Sequence, residues 1–193
     1  MMQNNKEKGD LNLRKKVILL IIIFLIAGLF SFITYNVIMR KVLYNTAHEE
    51  IIYKYAEEYD VDAMLIFAII KNESNFDKEI ISNKNAIGLM QLLETTAEEI
   101  GLELGLDNID LKDEETNINI GTKYFSYLMN KYSENYMLSL AAYNAGQGNV
   151  DKWIEQGIIT KDGDNLENIP FKETNMYVRK VSRDYEIYKK LYR

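Results

Sequence analysis

Ala68-Ile69-Ile70-Lys71-Asn72-Glu73-Ser74-Asn75-Phe76 joins an apolar run to one acidic residue and then to polar residues that favour a turn. Upstream, Met64, Leu65, Ile66 and Phe67 extend the run. A segment apolar nearly all round predicts a helix at the centre of a helical domain. Asp60 or Asp62 stands where a side-chain oxygen can cap its first turn. Glu73 comes seven residues after Ile66 and four after Ile69, so the three share a helix face. Its carboxyl therefore leaves the helix on an apolar side, close to the C-terminus. Poor solvation and the partial negative charge of a helix C-terminus both raise a carboxyl pKa. A general acid must be protonated near neutral pH, and this is a suitable setting for one. Taken alone, Glu73 reads more readily as a structural carboxylate snorkelling to water, because such helix-end carboxylates are common.

Helical periodicity continues on both sides. Residues 46–59 place Ile51, Ile52, Tyr55 and Tyr59 on one stripe. Residues 88–100 predict a third helix, with Gly101 as its C-cap. Residues 113–132 form a fourth, with Ile118, Gly121, Phe125 and Leu128 in phase. Residues 136–145 form a fifth, and 149–156 a short sixth ended by Gly157. Residues 161–170 contain the only proline and read as a loop. Residues 173–192 form the last helix, with Met176, Tyr177, Val181, Tyr185 and Tyr188 in phase. No run alternates as a strand does, although 103–111 and 158–170 leave room for a short hairpin. The fold class is all-α, with helix packed on helix.

Residues 17–39 carry no charge and are mostly Ile, Leu, Phe and Val. As a helix they reach about 34 Å, enough to span a hydrocarbon core with some tilt. The stretch is long for a cleaved signal, and no small-x-small site closes it, so it reads as a retained membrane anchor. A buried core helix would have to be apolar all round. Lys6, Lys8, Arg14, Lys15 and Lys16 precede it, against Glu7 and Asp10, while Arg40 and Lys41 follow. That bias places the N-terminus in the cytoplasm and residues from 42 onward outside the cell. Residues 1–16 are then a disordered basic cytoplasmic tail, 40–45 a short connector, and 46–190 the folded domain. From residue 42 on there are 16 Lys and Arg against 27 Asp and Glu, formally −11. Such an acidic domain argues against a nucleic-acid partner, whose phosphates it would repel. Without cysteine the chain can form no disulfide, thiolate metal site or lipidated cysteine anchor. His48 is the single histidine, with no second histidine or cysteine near it, and reads as a solvated helix residue rather than a metal ligand.

Two further stretches bear on Glu73. In Ala86-Ile87-Gly88-Leu89-Met90-Gln91, Gly88 permits close backbone approach and Gln91 offers an amide. In Ala141-Ala142-Tyr143-Asn144-Ala145-Gly146, small residues allow close helix packing. Tyr143 and Asn144 there supply an aromatic face and an amide, a mix that suits sugars. Each is weak by itself: the first could be a helix start, the second core packing. In this order they resemble the lytic transglycosylase domain of the soluble-lytic-transglycosylase (SLT) type, itself similar to goose-type lysozyme. Five blocks carry the resemblance: residues 70–76, 82–91 with Thr96-Ala97, 115–121 with Tyr124, 141–148, and 173–178. It covers about residues 46–190.

The resemblance implies a lysozyme-like helical catalytic domain, which the transmembrane helix read above would anchor in the cell membrane, facing the wall. It implies Glu73 as the catalytic acid and base, and Ser82 as a contact to the substrate's N-acetyl group. Met90 and Gln91 would bind substrate, Tyr143 would face the carboxylate with Asn144 beside it, and Glu173 and Tyr177 would close over the site. The implied reaction cleaves the MurNAc-GlcNAc β-1,4 bond of peptidoglycan and leaves a 1,6-anhydro end, without metal or cofactor. A hydrolytic muramidase would need a second carboxylate to activate water, for which Asp77, Glu79 and Glu94 are near in sequence. A non-catalytic glycan-binding or assembly module is a third reading, which an intact Glu73, Tyr143 and Asn144 speak against. Glu173 also reads as a plain helix N-terminal charge. Asn85 stands where the family usually has glycine, and Leu93-Glu94 where it usually has Met-Pro. These departures are expected to shift loop geometry and subsites more than the reaction.

Overall fold

A computed structural model describes the backbone of residues 2–193 and side chains from Arg14 onward. The chain divides into two compact units at Asn45 and Thr46. The first holds one helix, α1 (Met2–Ile38), which continues as a wider π-helical turn, Met39–Leu43. The disordered tail expected over residues 1–16 is thereby corrected from Met2 on. No proline interrupts the stretch, and a nucleated helix gains one hydrogen bond for each residue added. The connector expected at 40–45 is likewise helical as far as Leu43. The apolar side chains of α1 are exposed within the unit. The Asn36 amide donates to the Phe32 carbonyl at 2.9 Å, so this polar group is satisfied on its own helix. The stretch Arg14–Leu43 is long and apolar enough to cross a membrane.

The second unit packs seven helices: α2 (Glu49–Glu58), α3 (Ala63–Glu73), α4 (Glu94–Glu103), α5 (Glu114–Lys131), α6 (Tyr136–Ala145), α7 (Gln147–Glu155) and α8 (Lys172–Tyr192). In α3 all seven residues from Met64 to Ile70 are buried, as the apolar run requires. Each large apolar side chain so placed is worth about 1.5–3 kcal/mol of burial. Asp62 caps α3 by accepting from the Met64 N–H at 2.9 Å. Helix α3 packs on α8 and α2, α6 on α8, α7 and α5, and α5 also on α2 and α4. The core thus surrounds the helix that ends in Glu73.

Four local expectations are corrected. Residues 88–93 are not helical: Gly88 and Gln91 have φ of +77° and +49°, which a right-handed helix cannot contain. Helix α4 begins at Glu94 and runs through Gly101, whose bare Cα lets the Ile109 side chain pack against it. Neither 103–111 nor 158–170 forms a hairpin. Among the described residues the β pairing consists of two isolated bridges, Ile81 with Ile87 and Ile87 with Leu92. His48 is not on a helix but precedes α2 with φ +61°, and its Nδ1 lies 3.1 Å from Glu114 Oε2.

Candidate active site

Helix α3 stops immediately after Glu73. Ser74 caps it, and Asn75 and Phe76 follow with φ of +51° and +66°. Two successive non-glycine residues in the left-handed region are costly and recur at functional sites. Here they turn the chain so sharply that Glu73 stays at the helix end. Asn72 ties the same end to α8, donating to Asp184 Oδ2 at 3.0 Å.

The loop of residues 80–93 is held from three helices. From the end of α3, the buried Ser74 hydroxyl donates to the Leu89 carbonyl at 2.8 Å. From α5, buried Asn117 accepts from the Met90 N–H at 2.8 Å and donates to the Ile87 and Leu111 carbonyls at 3.0 and 2.8 Å. From α6, the Tyr143 hydroxyl donates to the Met90 carbonyl at 2.6 Å. A Cβ on Gly88 would collide with the Leu111 carbonyl and the Asn117 amide, so close approach and positive φ both demand glycine there. Asn85 has φ +61°. Asparagine tolerates that region, so its departure from the glycine pattern leaves the left-handed turn in place.

Two adjoining cavities, of about 450 and 430 Å³, share Glu73, Asn144 and Glu173. The first is also lined by Ser82, Asn83, Lys84, Gln91 and Tyr143. The second is completed by Asn72, Met176, Tyr177 and Lys180. Glu73 therefore stands where two arms of one cleft meet. Burial raises its pKa from 4.5 to about 7, a nearby Tyr177 hydroxyl pulls it down, and the Glu173 carboxylate pushes it up. The buried Tyr177 hydroxyl makes no well-aligned hydrogen bond at rest. Such contacts often tighten only when substrate is bound. Burial, and next the Glu73 charge, push the Tyr143 and Tyr177 hydroxyls well above their ordinary value, so both remain protonated donors.

The expected residues are distributed unevenly. Ser82 lines the cleft and uses its oxygen to accept from the Lys84 and Ala86 N–H groups at 3.2 and 3.0 Å. Gln91 spends its amide N–H groups on the Ile80 and Gly88 carbonyls at 3.1 and 2.9 Å, leaving its oxygen for a ligand. Asn144 accepts from the Thr174 hydroxyl at 2.8 Å, leaving its amide N–H groups. Glu173 reaches across the mouth to Lys84, 3.3 Å away. Met90 is not brought into the cleft: its side chain is fully buried and packs on Gly121, where a Cβ would strike its sulfur. Tyr143 lines the cleft beside Glu73, but its hydroxyl proton is committed to the Met90 carbonyl, and Tyr177 is the hydroxyl acting on Glu73.

Asp77, Glu79 and Glu94 line neither arm. Asp77 caps the Glu79 N–H, Glu79 pairs with Lys112, and Glu94 borders a separate cavity. The carboxylate that does share the cleft is Glu173. Asn117 and Ser74 received no role from sequence, although Asn117 lies four residues before Gly121 on the buried stripe of α5. A polar residue in an apolar phase was the available signal. Among the described residues no group of three His, Cys, Asp or Glu could hold a metal ion.

The family model for the transglycosylase SLT domain matches residues 50–164. The chain belongs to the SLT transglycosylase family. The SLT domain is 34% identical over 140 residues to the soluble lytic murein transglycosylase of Escherichia coli K12, covering 70% of this chain and 22% of that one. It is 32% identical over 161 residues to the membrane-bound lytic murein transglycosylase C of Edwardsiella ictaluri, covering 70% of this chain and 45% of that one. An inactive mutant of the lytic transglycosylase Slt from Pseudomonas aeruginosa superposes with a TM-score of 0.70 at 32% identity, over 76% of this chain and 24% of that one. The chain thus spans between about a fifth and a half of the length of these relatives. The lysozyme-like all-α fold is shared with the SLT structures.

Proposed function

We propose that this chain is a membrane-anchored lytic transglycosylase of peptidoglycan, cleaving between N-acetylmuramic acid and N-acetylglucosamine. The observation that carries the reading is the buried Glu73 carboxyl, with a pKa of about 7, where the two arms of the cleft meet. A carboxyl raised towards neutral pH can serve in turn as acid and base. Protonated Glu73 gives its proton to the glycosidic oxygen as the bond to C1 breaks. The substrate's own 2-acetamido oxygen supports the positive centre, a substrate-assisted variant of glycoside cleavage. The Glu73 carboxylate then takes the proton of the muramoyl C6 hydroxyl, whose oxygen closes on C1 to give the 1,6-anhydro sugar. Tyr177 supports the carboxylate stage by donating to it. Ser82, Gln91 and Asn144 offer neutral donors and acceptors for sugar hydroxyl and acetamido groups. Kinship with a membrane-bound transglycosylase C and the exposed apolar helix support an anchor, and the basic residues Lys6 to Lys16 before it support an N-terminus in the cytoplasm with the catalytic domain facing the wall.

A second reading has one observation in its favour: Glu173 lines both arms with Glu73. A second carboxylate could activate water and make the reaction hydrolytic. Mass spectrometry of digested peptidoglycan separates the two. Terminal 1,6-anhydromuramoyl groups are expected, and reducing ends alone would replace the transglycosylase reading with hydrolysis. Glu73→Gln is expected to abolish both products, and residual clearing by that variant in a zymogram would refute the assignment of Glu73.

A further inference from the structure

The two arms of the cleft differ in charge. The arm holding Ser82, Asn83 and Gln91 offers neutral polar groups, and its one cation, Lys84, is paired with Glu173. The other arm is walled by one stripe of α8: Glu173, Met176, Tyr177 and Lys180, spaced i, i+3, i+4 and i+7. Tyr177 stands beside Glu73, and Lys180 lies about one turn further on, roughly 5 Å along the helix axis. Lys180 has no ion-pair partner among the described residues, although the domain around it is strongly acidic. Met176, on the same stripe, is 55% exposed.

We infer that the arm walled by α8 receives a carboxylate carried by the substrate, and that Lys180 is the specificity residue that binds it. This rests on the peptidoglycan reading above and adds the direction in which the strand lies. The sugar rings themselves are neutral, so an unpaired ammonium in the arm that adjoins Glu73 has only a substituent to select. On peptide-bearing strands that carboxylate belongs to the acidic residues of the peptide, because the lactyl carboxyl is taken up in the amide bond to it; where a muramoyl sugar carries no peptide, its free lactyl carboxylate takes that place. In either case the acid-bearing sugar is placed towards Lys180, and the neutral arm takes the adjoining sugar of the strand. The stretch that would hold it is preformed, since Tyr177 and Thr174 are buried and fasten this part of α8 to the core.

The test compares the wild type with Lys180→Met and Lys180→Arg on three strands: peptide-bearing, amidase-stripped, and peptide-bearing with its carboxyls amidated by carbodiimide. Lys180→Met is expected to lose about tenfold on peptide-bearing strands, through KM rather than kcat, with recovery in Lys180→Arg. The loss is expected to shrink with added salt and to vanish on amidated strands. A loss that disappears after amidase treatment identifies the peptide's carboxylates as the ligand, and one that persists shows that the lactyl carboxylate freed by the amidase is bound as well. Equal loss on native and amidated strands, or no loss on any, overturns the inference. If the wild type cleaves none of the strands, the peptidoglycan reading itself has failed. Retention of sacculi by Glu73→Gln, with and without Lys180→Met, then still reports whether the lysine selects a carboxylate.

Discussion

Glu73 shows how one side chain can oppose stability and serve chemistry together. Its folded pKa of about 7 lies above the ordinary 4.5. The protonated form therefore suits the fold: the associated stability is present in full below pH 4.5 and is lost as pH rises through about 7. Glu73→Gln removes that loss. Thermal melts are expected to show the variant more stable than the wild type at pH 8, by on the order of 2 kcal/mol after allowing for solvent at the cleft mouth, and nearly equal at pH 4. Tyr177 bears on the same proton. Its hydroxyl lowers the Glu73 pKa, so Tyr177→Phe should move the alkaline limb of kcat/KM to higher pH, whereas a merely structural role would lower activity at every pH alike. The helical spacing of Ile66, Ile69 and Glu73 made the raised pKa legible in the sequence. The hydroxyl that modulates it was less so, because Tyr177 lies 104 residues further along the chain and reaches Glu73 only through the packing of α3 on α8.

At the scale of elements, the loop of residues 80–93 depends on side chains from elsewhere. Asn117 alone satisfies three of its neighbours' backbone groups in a buried place. Asn117→Ala should cost about 3–5 kcal/mol in chemical denaturation, because each lost bond leaves a desolvated group unpaired. Activity should fall too, since the Ser82 and Gln91 positions rest on this loop. Asn85 makes a finer test. Asn85→Ala should cost about 1 kcal/mol and Asn85→Gly little or nothing, because only the alanine meets the full left-handed penalty. A larger loss for glycine than for alanine would mean that the Asn85 side chain, rather than its φ, matters. Helix existence was readable throughout the domain because its apolar periods are strong. The segment 88–93 was not, since its positive φ angles are imposed by Asn117, Ser74 and Tyr143.

The whole molecule joins an exposed apolar helix to an acidic helical domain. The unit Thr46–Arg193 has its own core and should fold without α1. Expressed alone, it is expected to be soluble, to show a single cooperative melt, and to digest purified peptidoglycan, with the anchor needed only for placement at the membrane. Because the natural chain contains no cysteine, one introduced near residue 5 and another near residue 160 can be labelled separately in intact cells. An impermeant maleimide should reach only the second. Labelling of the first alone would reverse the orientation that the basic residues Lys6 to Lys16 imply.

Local chemistry, and for the cleft residues the family resemblance, account for what the chain made plain before it was folded. An uncharged stretch of 23 residues is long enough to span a bilayer. The apolar periods demand packed helices, and Glu73 sits at the end of the most apolar of them. The blocks around Ser82, Gln91, Asn144 and Glu173 also marked side chains that do line the cleft. How those groups are spent was left to the packing of the helices. Packing buried Met90 against Gly121, committed the Tyr143 hydroxyl to a backbone carbonyl, and brought Tyr177 to Glu73. It also set Glu173 in the cleft and left Asp77, Glu79 and Glu94 outside it. The physical reason is that a hydrogen bond or an ion pair is specified by two partners, and here the partners come from helices far apart in the chain.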